Sequence, residues 1–293
     1  MGFAFTLTVM ELGGTDKIVG YDQYSTYGHT KDERMKELNG TAMLGTGYDS
    51  NKESLLTGLA QLVEDGTFIK ATDVVFINNF SSTLGPGKMY DNLVAEGYKV
   101  ICLGAKTYDG SMDVVKIISD AIGMDSAGSV KKMEDTRQAI IDKVSAVPGE
   151  ERPSAMYVSV NGGNIRIYNS GLAVSLIETC GATNAGLNGE SAYYDSDASA
   201  LIQADGNYSG TAAEFKEEFL LPASYNVVKL DKDWNNPCPS MADGLEFVYI
   251  ELYEAPFYDD GGSFFSENGA LIAVSVLMLI IIVAVAVVMV RRH

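Results

Sequence analysis

The side chains equipped for chemistry in this sequence are mostly tyrosines and amides standing just after short apolar runs. Tyr21, Asp22, Tyr24, Ser25 and Tyr27 follow one run, Asn78, Asn79 and Phe80 a second, and Lys106, Thr107 and Tyr108 a third. Later come Asn161, Asn164, Arg166 and Tyr168, then Asp205 and Tyr208, then Trp234. Tyrosine and tryptophan offer broad apolar faces with a polar edge, which suits a flat macrocycle or a metal chelate. Packing of loop against lobe uses the same side chains, so both uses stay open. Arg166, inside the run NIRIY, fits either a bidentate hold on a carboxylate or a solvated strand face. His29 lies in the polar run YGHTKDE; an exposed ring is the ordinary state there, and ligation of an iron centre the rarer one.

Patterns of catalysis do not accompany this set. The sequence holds no GxSxG, no HExxH and no Walker loop. His29 and the terminal His293 are its only histidines, and nothing marks a nucleophile for a Ser/His/Asp site. The carboxylate pairs Asp195/Asp197 and Asp231/Asp233 lack an EF-hand pattern. The expectation is a protein that is not an enzyme and has no resident cofactor or metal.

The elements that must position these residues alternate strand and helix. KIVGY (17–21), DVVFI (73–77) and KVICL (99–103) read as strands. Between and after them, 53–63 carries Leu55, Leu56, Leu59 and Leu62 on one helical face, 90–96 is a helix stopped by Gly97, and 111–122 is a helix stopped by Gly123. This order implies a parallel sheet covered by helices. A long, charged, amphipathic helix follows over 130–147 and stops before Pro148. After the break PGEERP the pattern restarts with a strand at 155–160, a helix at 172–180, a strand at 200–204, a helix at 211–219, a strand at 226–230 and a closing helix at 241–253. The fold class is therefore α/β: two Rossmann-like lobes joined by one long helix. Ligands of open α/β sheets sit outside the carboxyl ends of the strands, so with two lobes facing each other the residues named above line one cleft.

The chain end has another character. Residues 270–290 (ALIAVSVLMLIIIVAVAVVMV) hold no charge, and about 20 apolar residues suffice to cross a bilayer. Arg291, Arg292 and His293 follow the stretch, whereas Asp259, Asp260 and Glu267 precede it. The expectation is a single-pass transmembrane helix with a short cytoplasmic tail and a large extracytoplasmic domain. A net charge of −18 makes nucleic acid an unsuitable partner. Three sequons, at Asn39, Asn79 and Asn207, fit an exterior location. Cys102 reads as a buried strand residue, while Cys180 and Cys238 have no spacing that requires a pairing. The opening residues MGFAFTLTVMELGG have no basic region and no cleavage site, so an exported domain is expected to start upstream of Met1.

In order and spacing, several segments carry a likeness. MELGGTDKIVGYDQYS (10–25), TDVVFINNFSS (72–82), AEGYKVICLGAKTYDGSMDVVKIISDAIG (95–123), MYVSVNGGNIRIYNSGLAVSLIETCGATNAG (156–186) and ASYNVVKLDKDW (223–234) resemble successive segments of the solute-binding proteins of ABC importers for cobalamin, iron-siderophore and haem. The long helix from Val130 sits where that family's linker helix sits. The departures are Thr72 in place of a family proline, Glu53 further from the strand than usual, and no strand ahead of the Met10 helix. The resemblance implies an N-terminal lobe over 1–128, a linker helix over 129–147, a C-terminal lobe over 148–256, a stalk over 257–269 and the span over 270–290. It implies capture of an iron-siderophore, haem or corrinoid ligand, the cargo itself carrying iron or cobalt, and delivery to an ABC permease driven by its ATPase. It also implies one acidic docking residue on each lobe, placed by position at Glu53 and Glu190. A surface sensor, an adhesion ectodomain or a surface enzyme on the same scaffold remains the alternative.

Overall fold

The computed structural model describes residues 3–22, 25, 33–38, 40–44, 52–79, 86–161, 164–188, 200–204, 208, 210–221 and 226–254. The predicted span over 270–290, the stalk, and the residues Tyr24, Tyr27, His29 and Glu190 lie outside them. Among the described residues no helix is long and apolar enough to cross a membrane. Among the described residues, 3–208 with 226–254 pack as one unit, and 210–221 belong to another.

In the first unit the N-terminal residues form α1 (Phe3–Glu11), β1 (Gly20–Tyr21), β2 (Ala42–Met43), α2 (Lys52–Glu64), β3 (Val74–Asn78), α3 (Pro86–Ala95), β4 (Lys99–Leu103) and α4 (Tyr108–Ile122). β1 pairs with β2 and β3 with β4, both parallel. Alternation along β3 sends Val75 and Ile77 to one face, where they join Leu55, Leu59 and Leu62 of α2 and Met89 and Leu93 of α3. Phe76 points to the other face, against Phe5 of α1. Three of the four leucines expected to form the α2 stripe are core, and Leu56 is partly buried. α1 carries no charge before Glu11 and is buried from Ala4 to Met10.

The long charged helix is α5 (Ala127–Ser145), starting slightly earlier than its charge pattern suggests. It buries Val130, Met133, Ile140 and Val144, a stripe at helical spacing. Then come β5 (Ser154–Asn161), β6 (Asn164–Tyr168), α6 (Leu172–Thr179), β7 (Thr183–Asn184), β8 (Ala200–Ala204), β9 (Asn226–Leu230), and later a closing helix, Met241–Tyr249, which runs on as a π-helical turn over Ile250–Glu254. These strands form one sheet in the order β6-β5-β8-β9, with β7 also on β5. β6 is antiparallel to β5; β7 and β8 are parallel to it. The sequence reading has no strand at β2 or β7 and no hairpin at β5–β6, because two-residue strands and a Gly-Gly turn leave too little periodicity to read. Gly97, Gly123 and Gly181 stand at φ +82, +66 and +67, the left-handed conformation that ends a helix and that glycine alone adopts without strain.

One hydrophobic core runs through α1, α4, α5, α6, β5, β9 and the closing helix, so α5 is packed on both sides. Two polar ties cross between the halves. The Thr8 hydroxyl donates to the Pro237 carbonyl at 2.7 Å, and the Ser240 amide donates to Glu11 Oε2 at 2.8 Å. In the second unit, α7 (Ala212–Glu218) opens with a capping box between Thr211 and Glu214, and Phe215 packs on Phe219. The closing helix is hereafter α8.

Cys102 is exposed, contrary to the sequence reading. An apolar run fixes the strand, but not which residue of it turns to solvent. Cys180 and Cys238 are both buried and free; the thiol of Cys180 faces the Leu245 carbonyl, and that of Cys238 the Asp233 carbonyl and the Ser240 hydroxyl. Burial pushes both thiols up and makes them poor nucleophiles.

Candidate functional site

At the carboxyl ends of the two N-terminal strand pairs, the ends of β1, β3 and β4 carry predicted site residues. Tyr21 closes β1, half-buried, and the chain then turns tightly. Asp22, 3% exposed, accepts from both the amide and the hydroxyl of Ser25 at 2.9 Å, and the Ser25 hydroxyl meets the Thr6 hydroxyl. Asp22 and Ser25 therefore tie this turn to α1 rather than standing open. Asn78 ends β3, half-buried, and exposed Asn79 donates its amide to the Leu103 carbonyl at the end of β4. A Cβ on Gly104 would lie 3.2 Å from the Asn79 side chain, so Asn78, Asn79 and the turn after β4 sit together. Beyond that turn Lys106 is exposed, while Thr107 caps α4 by accepting the Gly110 amide.

Tyr108 is not part of this surface. It is 1% exposed, and its hydroxyl donates to the Met133 carbonyl at 3.1 Å. Its position after a strand suggested a loop residue; in fact it opens α4 and pins that helix to α5. Burial pushes its phenol well above the ordinary range. Next to it Arg137 pairs with Asp109, a second link between the same two helices.

In the C-terminal sheet the pairing decides which predicted residues share a face. Ser159 faces Arg166 and Tyr157 faces Tyr168 across the β5–β6 ladder. Residues two apart share a side, so these four form one patch. The Tyr157 and Tyr168 rings lie 5.0 Å apart, the Ser159 and Tyr168 hydroxyls 3.1 Å apart, and the exposed Arg166 guanidinium sits 5.1 Å from the Tyr168 ring centre. Behind them the Asn235 amide donates to the Tyr157 hydroxyl and its carbonyl oxygen accepts the Ala173 amide at the start of α6. Burial, helped by Tyr168, pushes the Tyr157 phenol up, so it stays a neutral donor or acceptor. Because β6 runs antiparallel, Arg166 lies level with Ser159, one residue past Val158, which pairs with Gln203 near the carboxyl end of β8; Tyr168 recedes toward the amino end. Asn161 ends β5 opposite Asn164.

Tyr157, Ser159 and Asn235 escaped the sequence reading. The alternation of AMYVSV carries the signal for the first two, since every second residue of a strand shares a face. Asn235 carries none. Trp234 follows β9, but its ring packs on Gly244, with a would-be Cβ only 2.6 Å from Cγ, and on Phe247 at 5.1 Å between centroids. It covers α8 with much of its surface. Tyr208 is half-buried. Glu53 is exposed in the first turn of α2. Asp231 caps the turn at Lys232–Asn235 by accepting the Asp233 amide, a structural duty for half of the Asp231/Asp233 pair. Among the described residues no group of His, Cys, Asp and Glu is placed to hold a metal ion.

No family model matches the sequence, and no curated protein does. Solved structures do. The chain is similar to the periplasmic heme-binding protein RhuT from Roseiflexus sp. RS-1, at 16% identity and a TM-score of 0.65, over 86% of this chain and 96% of that one. It is similar to CeuE of Helicobacter pylori, whose structure has Ni(II) bound, at 14% identity and a TM-score of 0.67, over 86% and 82%. It is similar to the periplasmic vitamin B12 binding protein BtuF of Vibrio cholerae, at 16% identity and a TM-score of 0.57, over 86% and 94%. The chain thus has the α/β fold of these periplasmic binding proteins.

Proposed function

We propose that this protein is the extracytoplasmic solute-binding component of an ABC importer, taking a haem, a corrinoid or an iron-siderophore and passing it to a permease that a partner ATPase drives. The observation that carries the reading is the fold: three neighbours of unlike cargo share it over most of their length. The local chemistry agrees. The N-terminal lobe offers amides at Asn78 and Asn79, with Tyr21 on the strand end alongside. The C-terminal sheet offers the half-buried Tyr168 ring, backed by the buried Tyr157, with an exposed cation, Arg166, over it. Flat chelates with pendant carboxylates need an apolar face and a cationic fork. Tyr24, Tyr27, Asn161 and Tyr208 extend this surface in the proposal. Glu53 and Glu190 are its docking carboxylates, where paired charges set orientation and on-rate. Residues 270–290 are its anchor, holding the domain near its permease and raising the effective concentration.

A thermal-shift screen with haemin, cyanocobalamin and a ferric siderophore tests the reading. One of the three is expected to raise the melting temperature in a dose-dependent way, since a ligand of the native state stabilises it by mass action. Arg166→Ala is expected to weaken that ligand about tenfold, the order of one charge-assisted contact, with the melting temperature of the free protein unchanged. A screen flat for all three contradicts the ligand class.

A further inference from the structure

Charge is scarce around the β5–β6 hairpin. Residues 154–177 cover β5, β6 and most of α6, and Arg166 is the single charged side chain among them. Over the whole chain 20% of residues are charged, and 39 acids face 21 Lys and Arg. At that composition a stretch of this length would hold several charges, mostly negative. Cations elsewhere find acids. Each cation of α4 and α5 is paired: Lys116 with Glu134, Lys131 with Asp135, Lys132 with Asp243, Arg137 with Asp109 and Lys143 with Glu254. Among the described residues Arg166 has no ion pair; its neighbour is the Tyr168 ring, centred 5.1 Å from the guanidinium. The exposed Lys17, Lys99 and Lys106 also stand without an ion pair among the described residues, as strongly hydrated ammonium groups do. Arg166 differs in lying over a fixed ring. Tyr168 packs on Tyr157 at 5.0 Å, and its hydroxyl lies 3.1 Å from that of Ser159. A guanidinium over a ring keeps its in-plane N–H donors, the fork that matches an oxyanion. The acids at other strand ends are engaged. Asp22 accepts from Ser25, and Asp231 accepts the Asp233 amide; Asp205 lies outside the described residues.

We propose that the cargo is an anion: Arg166 selects a chelate that presents a carboxylate or a comparable oxyanion over an uncharged chelate of similar size. The proposal rests on the importer reading and narrows it, because a corrinoid without net charge offers this guanidinium nothing. In a chain of net charge −18 an anion meets long-range repulsion, so the preference is made by a short-range contact at an otherwise neutral stretch of the fold. Arg166 is exposed, and an uncharged ligand therefore leaves it hydrated rather than stranded. The discrimination is that of one charge-assisted contact, about tenfold.

The test titrates the purified protein by calorimetry with two pairs of iron chelates that differ in charge. Haemin is set against its dimethyl ester, which lacks the free carboxylates, and anionic ferric enterobactin against uncharged ferrichrome; cyanocobalamin is the remaining probe. At least one anionic member is expected to bind about tenfold more tightly than its uncharged counterpart, the two arms telling a carboxylate from a catecholate. Arg166→Ala is expected to shrink that ratio to about threefold or less, and Arg166→Lys, which keeps the charge without the fork, to retain part of it, with the melting temperatures of the free variants unchanged. Equal affinities within a pair that binds overturn the proposal, as does a preference that survives Arg166→Ala. So does saturable binding of cyanocobalamin or ferrichrome alone, an outcome that leaves the importer reading standing. No saturable binding of any probe to protein that unfolds cooperatively overturns both.

Discussion

Gly244 shows how one missing methyl fixes a side chain that the sequence can only nominate. Its absent Cβ leaves room for the Trp234 ring, whose nearest atoms would stand 2.6 to 2.9 Å from it. Gly244→Ala forces the ring off α8 and is expected to cost about 2 kcal/mol, in the range of overpacked cores. Trp234 is the only tryptophan, so chemical denaturation followed by its emission reads stability and ring environment together. Glu251 gives a pH signature. Burial raises its carboxyl above the ordinary range, so folding favours the protonated form, and this part of the stability is lost as pH rises through the folded-state pKa. Glu251→Gln is therefore expected to raise the melting temperature by about 1–3 °C at pH 7 and to make no difference near pH 4, checked by calorimetry at both values. At this scale the tyrosines and amides were legible as types, but their placement was not. Tyr108 and Arg166 both follow or occupy apolar runs, yet one is sealed beneath α5 and the other lies open over Tyr168, because tertiary contacts rather than spacing decide exposure.

Helices were the most legible elements. The leucine stripe of α2, the Gly123 stop of α4 and the pattern of α5 each carry several turns of periodicity, and each forms close to where it reads. Strands of two residues carry none, so β2 and β7 surface only through their partners, Tyr21 with Met43 and Ser154 with Thr183. The antiparallel β6 was legible as a strand-like run without its direction, and direction is what sets Arg166 near the carboxyl ends and Tyr168 behind. The element on which most depends is α5. Met133 is fully buried, and its carbonyl receives the Tyr108 hydroxyl. Met133→Ala leaves a cavity in the core between α4 and α5 and is expected to cost about 2–5 kcal/mol. Because one core runs through both halves, denaturation followed by Trp234 emission and by far-ultraviolet circular dichroism is expected to give coincident transitions in wild type and variant; separated transitions would show that the halves fold independently.

At the scale of the whole molecule the arrangement restricts motion. α1 and the Pro237–Ser240 segment share a core and the Thr8–Pro237 and Glu11–Ser240 ties, so they cannot separate without breaking packed surface. The order of elements made the α/β fold legible from the sequence. The ligand was not legible, because aromatic and amide groups serve corrinoids, haem and chelated iron alike. Direct calorimetric titration of the purified protein with haemin, cyanocobalamin and a ferric siderophore measures the central claim. Saturable binding of one of them is expected, with a dissociation constant at or below about 1 μM, an interaction of about −8 kcal/mol, weakened by Arg166→Ala. No saturable heat with any of the three, in protein that unfolds cooperatively, contradicts it.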